Sequence, residues 1–266
     1  MSAPLQPLEA LANLPRPLYG HVASLANRAI DYRHSHPWVQ LSYAMHGVID
    51  VRTSTGRFIA PPQRAIWIPA GVAHRVRCSA STQIRSLYIA AESARRPGLA
   101  CRVLGVSNLL RELISRFSEL PAEYDEQGPD GRLAGVLLDE LATAPEVSLM
   151  LPLPKDPRLR LLCTRLQAQP ASRATLEQWG ARLGVSEKTL SRLFLKETGM
   201  GFRVWRQRMR LFEALPLLEG GGRVTDVALR CGYHSTSAFI AAFRTELGAT
   251  PGEFFGPNHT VSGASA

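Results

Sequence analysis

LEQWGARLGVSEKTLSRLFLKETG, from Leu176 to Gly199, decides the fold of the chain's last hundred residues, because its pattern returns once. The second copy reads VTDVALRCGYHSTSAFIAAFRTELG, from Val224 to Gly248. Gly180-x3-Gly184 answers to Ala228-x3-Gly232, Ser186 to Ser235, Phe194 to Phe243 and Gly199 to Gly248, about 49 positions apart. The offset drifts by one residue only at the turn after Gly184 and Gly232. Thr175 with Gln178 three residues later is a capping-box pattern and predicts a helix start. Gly184 can take the positive φ of a tight turn, and Ser186 then caps a second helix over roughly Glu187 to Glu197. Helix, tight turn and helix make a unit whose second helix can enter a DNA major groove. Two copies on one chain can present two such helices without a dimer. Joined by one helix, they would lie about 34 Å apart, one turn of DNA.

In the first copy Leu190, Leu193 and Phe194 form the inward stripe, leaving Lys188, Ser191 and Arg192 outward. Outward residues near the start of a reading helix reach base edges. Arg192 suits guanine O6 and N7, and Lys188 suits the same atoms or a phosphate. In the second copy Phe239 and Phe243 supply the core, and Thr236, Ser237, Ile240 and Ala241 lie on the exposed side. Thr236 and Ser237 can donate hydrogen bonds, whereas Ile240 and Ala241 can meet only a thymine methyl. The second helix is therefore expected to read fewer bases. FRVWRQRMRLFEAL, Phe202 to Leu215, predicts the joining helix. Its Arg203, Arg206, Arg208 and Arg210 suit backbone phosphates or a solvated face, and Arg203, Arg206 and Arg244 make up the expected backbone-contacting set. The alternative is a helical bundle whose repeat is only architectural.

Charge falls where the repeat falls. The chain carries 31 Lys and Arg against 22 Asp and Glu, a net +9. Between Pro157 and Gly256 there are 15 against 8, while the first 156 residues hold 16 against 14. A basic face suits a polyanion because neutralised phosphates release condensed counterions. The hydrophobic fraction of 45% is that of an ordinary globular protein. No apolar run reaches the roughly 18 residues of a membrane span. MSAPLQPLEALANLPRPLYG lacks a basic stretch followed by an apolar one, so no signal peptide is expected. Cys78, Cys101, Cys163 and Cys231 form no C-x-x-C pair and read as reduced thiols of a cytoplasmic protein.

The front half reads as strands. Val39–Met45 and Val48–Thr53 alternate apolar and polar residues around a turn at Ser54-Thr-Gly56; Ala65–Ile68 and Arg85–Ile89 are further short strands. Pro61-Pro62 and Pro69-Ala-Gly71 punctuate them. Strands so spaced suggest an antiparallel barrel or sandwich. Helical periodicity takes over from Ser107 to Leu120, and a second helix is expected over Arg132–Ala142. These two helices can cover the barrel or pair with a second subunit. Met150–Pro157 is a proline-stiffened linker, after which everything reads helical. The expected fold class is thus multidomain α and β. A barrel spans 1–100, a helical dimerisation or coupling segment 101–149, a linker 150–157, an all-α domain 158–256 and a flexible tail 257–266.

GYHSTSAFIAAFRTELGATPGEFF resembles the signature that closes the DNA-binding domain of AraC-family bacterial transcription regulators. The upstream copy is similar to that family's first helix-turn-helix, and the likeness covers roughly Pro157 to Phe255. It implies a seven-helix domain reading two adjacent major-groove segments through Lys188, Ser191 and Arg192, and through Thr236, Ser237, Ile240 and Ala241. Two departures stand out: Ala241 replaces an arginine found in some members, and Pro216 is expected to kink or shorten the joining helix. In the front half His34-x-His36-x3-Gln40-x6-Gly47 and Pro69-x-Gly71-x2-His74 resemble the two motifs of the cupin barrel, with Gln40 in place of a glutamate. His34, His36, Gln40 and His74 then suit a divalent metal such as Zn, Fe, Ni or Mn, or contacts to an effector, or plain core filling. Trp38, Tyr43, Trp67 and Tyr88 are candidates to line the cavity.

These readings converge on a ligand-responsive, sequence-specific transcription regulator that is not an enzyme. Its expected partners are a double-stranded DNA operator, a small-molecule effector, RNA polymerase if it activates, and a second copy if it dimerises. No cofactor is certain, a divalent metal being the open case. Two alternatives remain: a metal-dependent cupin enzyme carrying a DNA reader, and an architectural DNA-binding protein whose front half senses nothing.

Overall fold

In the first half, β-branched and aromatic residues recur in short runs that pair into two antiparallel sheets. The computed structural model describes residues 13–20, 32–78, 82–96 and 98–255. The strands are β1 (Leu18–Tyr19), β2 (Val39–His46), β3 (Ile49–Arg52), β4 (Gly56–Ala60), β5 (Arg64–Ile68), β6 (Arg75–Cys78), β7 (Gln83–Ile89), β8 (Arg102–Gly105), β9 (Glu146–Val147) and β10 (Met150–Pro152). One sheet has the order β1-β7-β2-β5-β8-β9 and the other β10-β4-β3-β6. The expected barrel is therefore a cupin-like pair of sheets, not a single closed one. The chain clusters into two units, one from residues up to 53 with 58–150, the other from 54–57 with residues from 151 on.

β2 is the spine of the larger sheet. It is buried along Val39–Ala44, on both faces, because each face meets its own set of partners. Val39, Leu41 and Tyr43 join Trp67 of β5 and Leu87 and Ile89 of β7 in one apolar cluster. Two helices, α1 (Asn108–Phe117) and α2 (Pro129–Thr143), contribute Leu110, Ile114, Phe117, Leu137 and Leu141 to the same cluster. They cover the outer face of this sheet. α1 starts where Ser107 accepts from the Leu110 amide, and α2 where Pro129 occupies its first turn. The opposite face of β2 carries Gln40 and Ser42, across from Tyr88 and Ser86 of β7 and from Ile68 and Ile66 of β5.

The second unit contains α3 (Pro157–Ala168), α4 (Leu176–Leu183), α5 (Glu187–Thr198), α6 (Phe202–Glu219), α7 (Val224–Arg230), α8 (Thr236–Leu247) and α9 (Pro251–Phe254). α6 is the axle: α3 and α5 pack on it, and so do α7 and α8. Its Trp205, Met209, Phe212 and Leu215 are fully buried. The helix runs through Pro216 for another turn instead of shortening there. Interior proline costs about 3 kcal/mol, and buried Leu211, Phe212, Leu215 and Leu218 around it supply the packing that offsets this.

The 150–157 stretch is not a detached spacer. Trp205 Nε1 donates to the Pro152 carbonyl at 2.8 Å, and Glu197 Oε2 accepts from the amides of Lys155 (2.7 Å) and Asp156 (2.9 Å). Met150–Pro152 forms β10, and side chains of α5 and α6 bind backbone groups of this segment, a carbonyl through Trp205 and two amides through Glu197. The 257–266 tail and most of residues 1–31 lie outside the described residues.

Candidate DNA interface and ligand pocket

The two helix-turn-helix copies are built by the same local rules. In the first, Thr175 and Gln178 form a reciprocal capping box at the start of α4. Gly184 closes α4 at φ 67°, and the Val185 amide returns to the Gly180 carbonyl at 3.0 Å. In the second, Gly232 takes φ 82° and the Tyr233 amide returns to the Ala228 carbonyl at 2.9 Å. A side chain at Gly232 would meet Ala171 Cα at 2.7 Å, so glycine is required there for space as well as for φ. The copies thus share one turn geometry although their sequences differ by a residue beyond it.

Each reading helix is then capped alike. Ser186 Oγ accepts from the Thr189 amide at 3.2 Å and Ser235 Oγ from the Ala238 amide at 3.2 Å. Gly199 and Gly248 end them in the left-handed conformation. Leu190 and Phe194 hold α5 to its unit with no exposed surface, as Phe239 and Phe243 hold α8. Leu193 is only half-buried.

What remains outward is the candidate interface. Lys188, Ser191 and Arg192 on α5 are exposed; on α8, Ser237 and Ala241 are exposed and Thr236 and Ile240 half-buried. Leu195, 55% exposed, was not among the sequence candidates. It shares the stripe Lys188–Ser191–Arg192, one turn farther on, and the repeat places it opposite Arg244. Helical spacing of three and four would have found it. Arg203 and Arg244 are exposed. Arg206 donates to the Ala174 carbonyl at 3.1 Å, and burial lowers its pKa. Arg210 binds the carbonyls of Pro170 (2.9 Å) and Ser172 (3.1 Å), and Arg208 pairs with Glu246. These two arginines brace the domain from within.

In the first unit, backbone bonds bring the two histidine segments together. His34 and His74 exchange amide-to-carbonyl bonds at 2.9 and 2.8 Å, and the Gly71 amide donates to the His36 carbonyl at 2.9 Å. His36 Nε2 and His74 Nε2 each lie 3.0 Å from Gln40 Oε1. Gln40 Nε2 donates to Ser42 Oγ at 3.1 Å. The Nδ1 atoms of His36 and His74 face the carbonyls of Trp38 and Val72, both at 2.8 Å. Burial pushes the His74 pKa down to about 4, its bond to Val72 resisting, and burial lowers His36 likewise. Both rings are neutral near pH 7. His34 is half-buried, with its ring centroid 4.3 Å from that of His74.

Aromatic rings frame this group. Trp38 stacks on His36 with centroids 5.4 Å apart, and the Tyr88 ring meets His36 edge-on at 5.9 Å. Burial raises the Tyr88 hydroxyl far above its usual range. Trp38 is 4% exposed, and its Nε1 finds no hydrogen-bond partner among the described residues. Tyr43 and Trp67, also candidates to line the cavity, belong to the other face of the sheet, in the cluster with α1 and α2. Gln40 and Tyr43 are three residues apart on one strand, and alternation sends them to opposite faces.

Comparison with known proteins agrees with both halves. Residues 17–142 match the model of the AraC-like ligand binding domain, and residues 179–256 that of a helix-turn-helix domain. The chain is 37% identical over 233 residues to the HTH-type transcriptional regulator NimR of Escherichia coli strain K12, spanning 88% of this chain and 85% of NimR. It is 39% identical over 103 residues to the HTH-type transcriptional regulator RipA of Corynebacterium glutamicum, over 39% of this chain and 31% of RipA. Among solved structures, a DNA-binding transcriptional dual regulator from Escherichia coli K-12 is similar at 32% identity and TM-score 0.34, over 37% of this chain and 87% of that one. Among the described residues no helix is long and apolar enough to cross a membrane. With a matched ligand-binding domain, a matched helix-turn-helix domain and a relative aligned over most of both chains, this protein belongs to the AraC family of DNA-binding transcription regulators.

Proposed function

We propose that the protein reads two successive major-groove segments of an operator and that a small molecule in its N-terminal pocket sets how well it does so. The observation that carries the DNA reading is the pair of identically capped helices, each with an outward stripe. On α5 Lys188, Ser191 and Arg192 read bases, with Leu195 available to a thymine methyl. On α8 Thr236, Ser237, Ile240 and Ala241 face the second segment with less hydrogen-bonding capacity. Arg203, Arg206 and Arg244 hold phosphates, Arg206 with the guanidinium nitrogens its Ala174 bond leaves over.

The pocket reading is supported by the polar group His34, His36, Gln40 and His74 set beside Trp38 and Tyr88. A buried indole N–H without an acceptor is rare and costs about 1–3 kcal/mol; a ligand bearing an oxygen acceptor would relieve it. An effector shifts DNA binding only if it binds two arrangements of the protein unequally. In this reading the barrel senses and does not catalyse, the protein works in the cytoplasm, a second copy is a partner, and RNA polymerase is one where it activates. The test is sequencing of DNA retained by the full chain from its own genome, followed by mobility shifts on those fragments with candidate effectors encoded or handled nearby. Retention of random fragments alone would remove the operator claim. Effectors that never alter DNA affinity or transcription would leave an architectural protein.

A further inference from the structure

We propose that Arg173 and His234 together hold the DNA phosphates between the two major-groove segments, and that this contact strengthens when His234 gains a proton. Arg173 stands two residues before Thr175, which caps α4, and His234 directly precedes Ser235, which caps α8. The two side chains belong to different helix-turn-helix copies, yet Arg173 Nη2 lies 3.4 Å from His234 Nδ1, and both residues are exposed. In a helix-turn-helix the first helix crosses the DNA backbone while the start of the second enters the groove. A pair that joins the start of α4 to the start of α8 therefore sits over backbone, between the grooves that α5 and α8 read.

The loop that carries Arg173 is fixed on both sides of it. Arg210 donates to the Ser172 carbonyl at 3.1 Å and Arg206 to the Ala174 carbonyl at 3.1 Å. The loop also packs against Gly232, in the turn that leads to His234: a side-chain carbon there would meet Ala171 Cα at 2.7 Å. Neither Arg173 nor His234 forms an ion pair among the described residues, and the charges around them are alike. On α6, burial lowers the Arg210 pKa, and Arg206 and Arg173 lower it further; burial lowers that of Arg206, with Arg203 adding to it. No carboxylate opposes either shift. α7 ends in Arg230, α8 has no acid in its first turn, and Glu246 near its far end is taken by Arg208. The acid of α4 is Glu177, exposed and in no ion pair among the described residues. This group of cationic donors lacks a counter-ion, and a DNA phosphate supplies one. Histidine is the side chain that ordinarily changes charge between about pH 5 and 8, and a phosphate beside it favours the charged form. Protonation and DNA binding then favour each other.

The contact rests on the two-groove reading of DNA, and its test is kept apart from sequence preference. Full-length protein is titrated, by fluorescence anisotropy, against a retained genomic fragment and against a random duplex of equal length, over a range of salt at about pH 8 and about pH 5.5. Arg173→Gln should weaken binding to both duplexes by roughly three- to tenfold and lower the salt slope by about one. Wild-type affinity should rise severalfold from about pH 8 to about pH 5.5, with the salt slope steeper by up to about one. His234→Gln should remove that difference. His234→Arg should bind at about pH 8 as the wild type binds at about pH 5.5, a gain that unfolding does not mimic. The pocket histidines are the same in every variant, so the differences between variants report His234. A salt slope unaltered by Arg173→Gln, or a pH dependence that His234→Gln leaves in full, overturns the proposal. Equal affinity of the wild type for the genomic fragment and the random duplex would refute the operator reading alone.

Discussion

Arg192 and Ala241 occupy equivalent places on two copies of one helix, and the difference between them is the sharpest asymmetry in the molecule. Arg192 offers a planar fork to guanine; Ala241 offers a methyl group. Arg192→Ala should weaken operator binding by about 1–3 kcal/mol and relax preference at one base position, measured by mobility shifts against specific and random DNA. An unchanged ratio between the two would count against base contact. Arg203, exposed on α6, predicts a different signature. Arg203→Ala should weaken all sequences alike and flatten the salt dependence of binding by about one counterion, and a loss confined to one sequence would contradict a phosphate role. At this scale the chain is legible where chemistry and alternation agree. His34, His36, Gln40 and His74 could be grouped from motif spacing. Strand parity sets Tyr43 and Trp67 on the face opposite Gln40, which their aromatic character alone does not reveal. The roles of Arg208 and Arg210 were hidden, since nothing local says that Glu246 or the Pro170 carbonyl stands within reach.

The helix ends are where sequence speaks most clearly about elements. Thr175, Ser186, Gly184 and Gly199 mark α4 and α5 within a residue or two, because caps are local chemistry. Ser186→Ala and Ser235→Ala should each cost about 1 kcal/mol, read from denaturant unfolding of the full chain. Gly184→Ala should cost about 1–2 kcal/mol from the left-handed backbone alone, since open space surrounds its Cα. A neutral result would mean that the turn relaxes out of that conformation. Strands were harder. β4 (Gly56–Ala60) begins in what reads as a turn, and its Arg57 is 2% exposed, paired with Glu213. β6 (RVRC) and β8 (RVLG) are only four residues each, too short for alternation to mark them out. β2 is buried on both faces, so its alternation is one of partners, not of solvent. Pro216 reads as a kink or a shortening of α6, because the packing that offsets its cost is tertiary.

At the scale of the whole molecule, charge and architecture point the same way. The excess positive charge belongs to the unit that repeats, and the three-histidine group to the unit of sheets. Each unit has its own apolar core, consistent with a sensor and a reader joined on one chain. The central claim is that α5 and α8 enter two consecutive major-groove segments. Dimethyl sulfate protection of a retained genomic fragment bound by the full chain tests it most directly. The account predicts two protected tracts on one face of the duplex, about 10–10.5 base pairs apart centre to centre. Arg192→Ala should erase guanine contacts in one tract and leave the other. A single tract, or protection that does not depend on sequence, would contradict it.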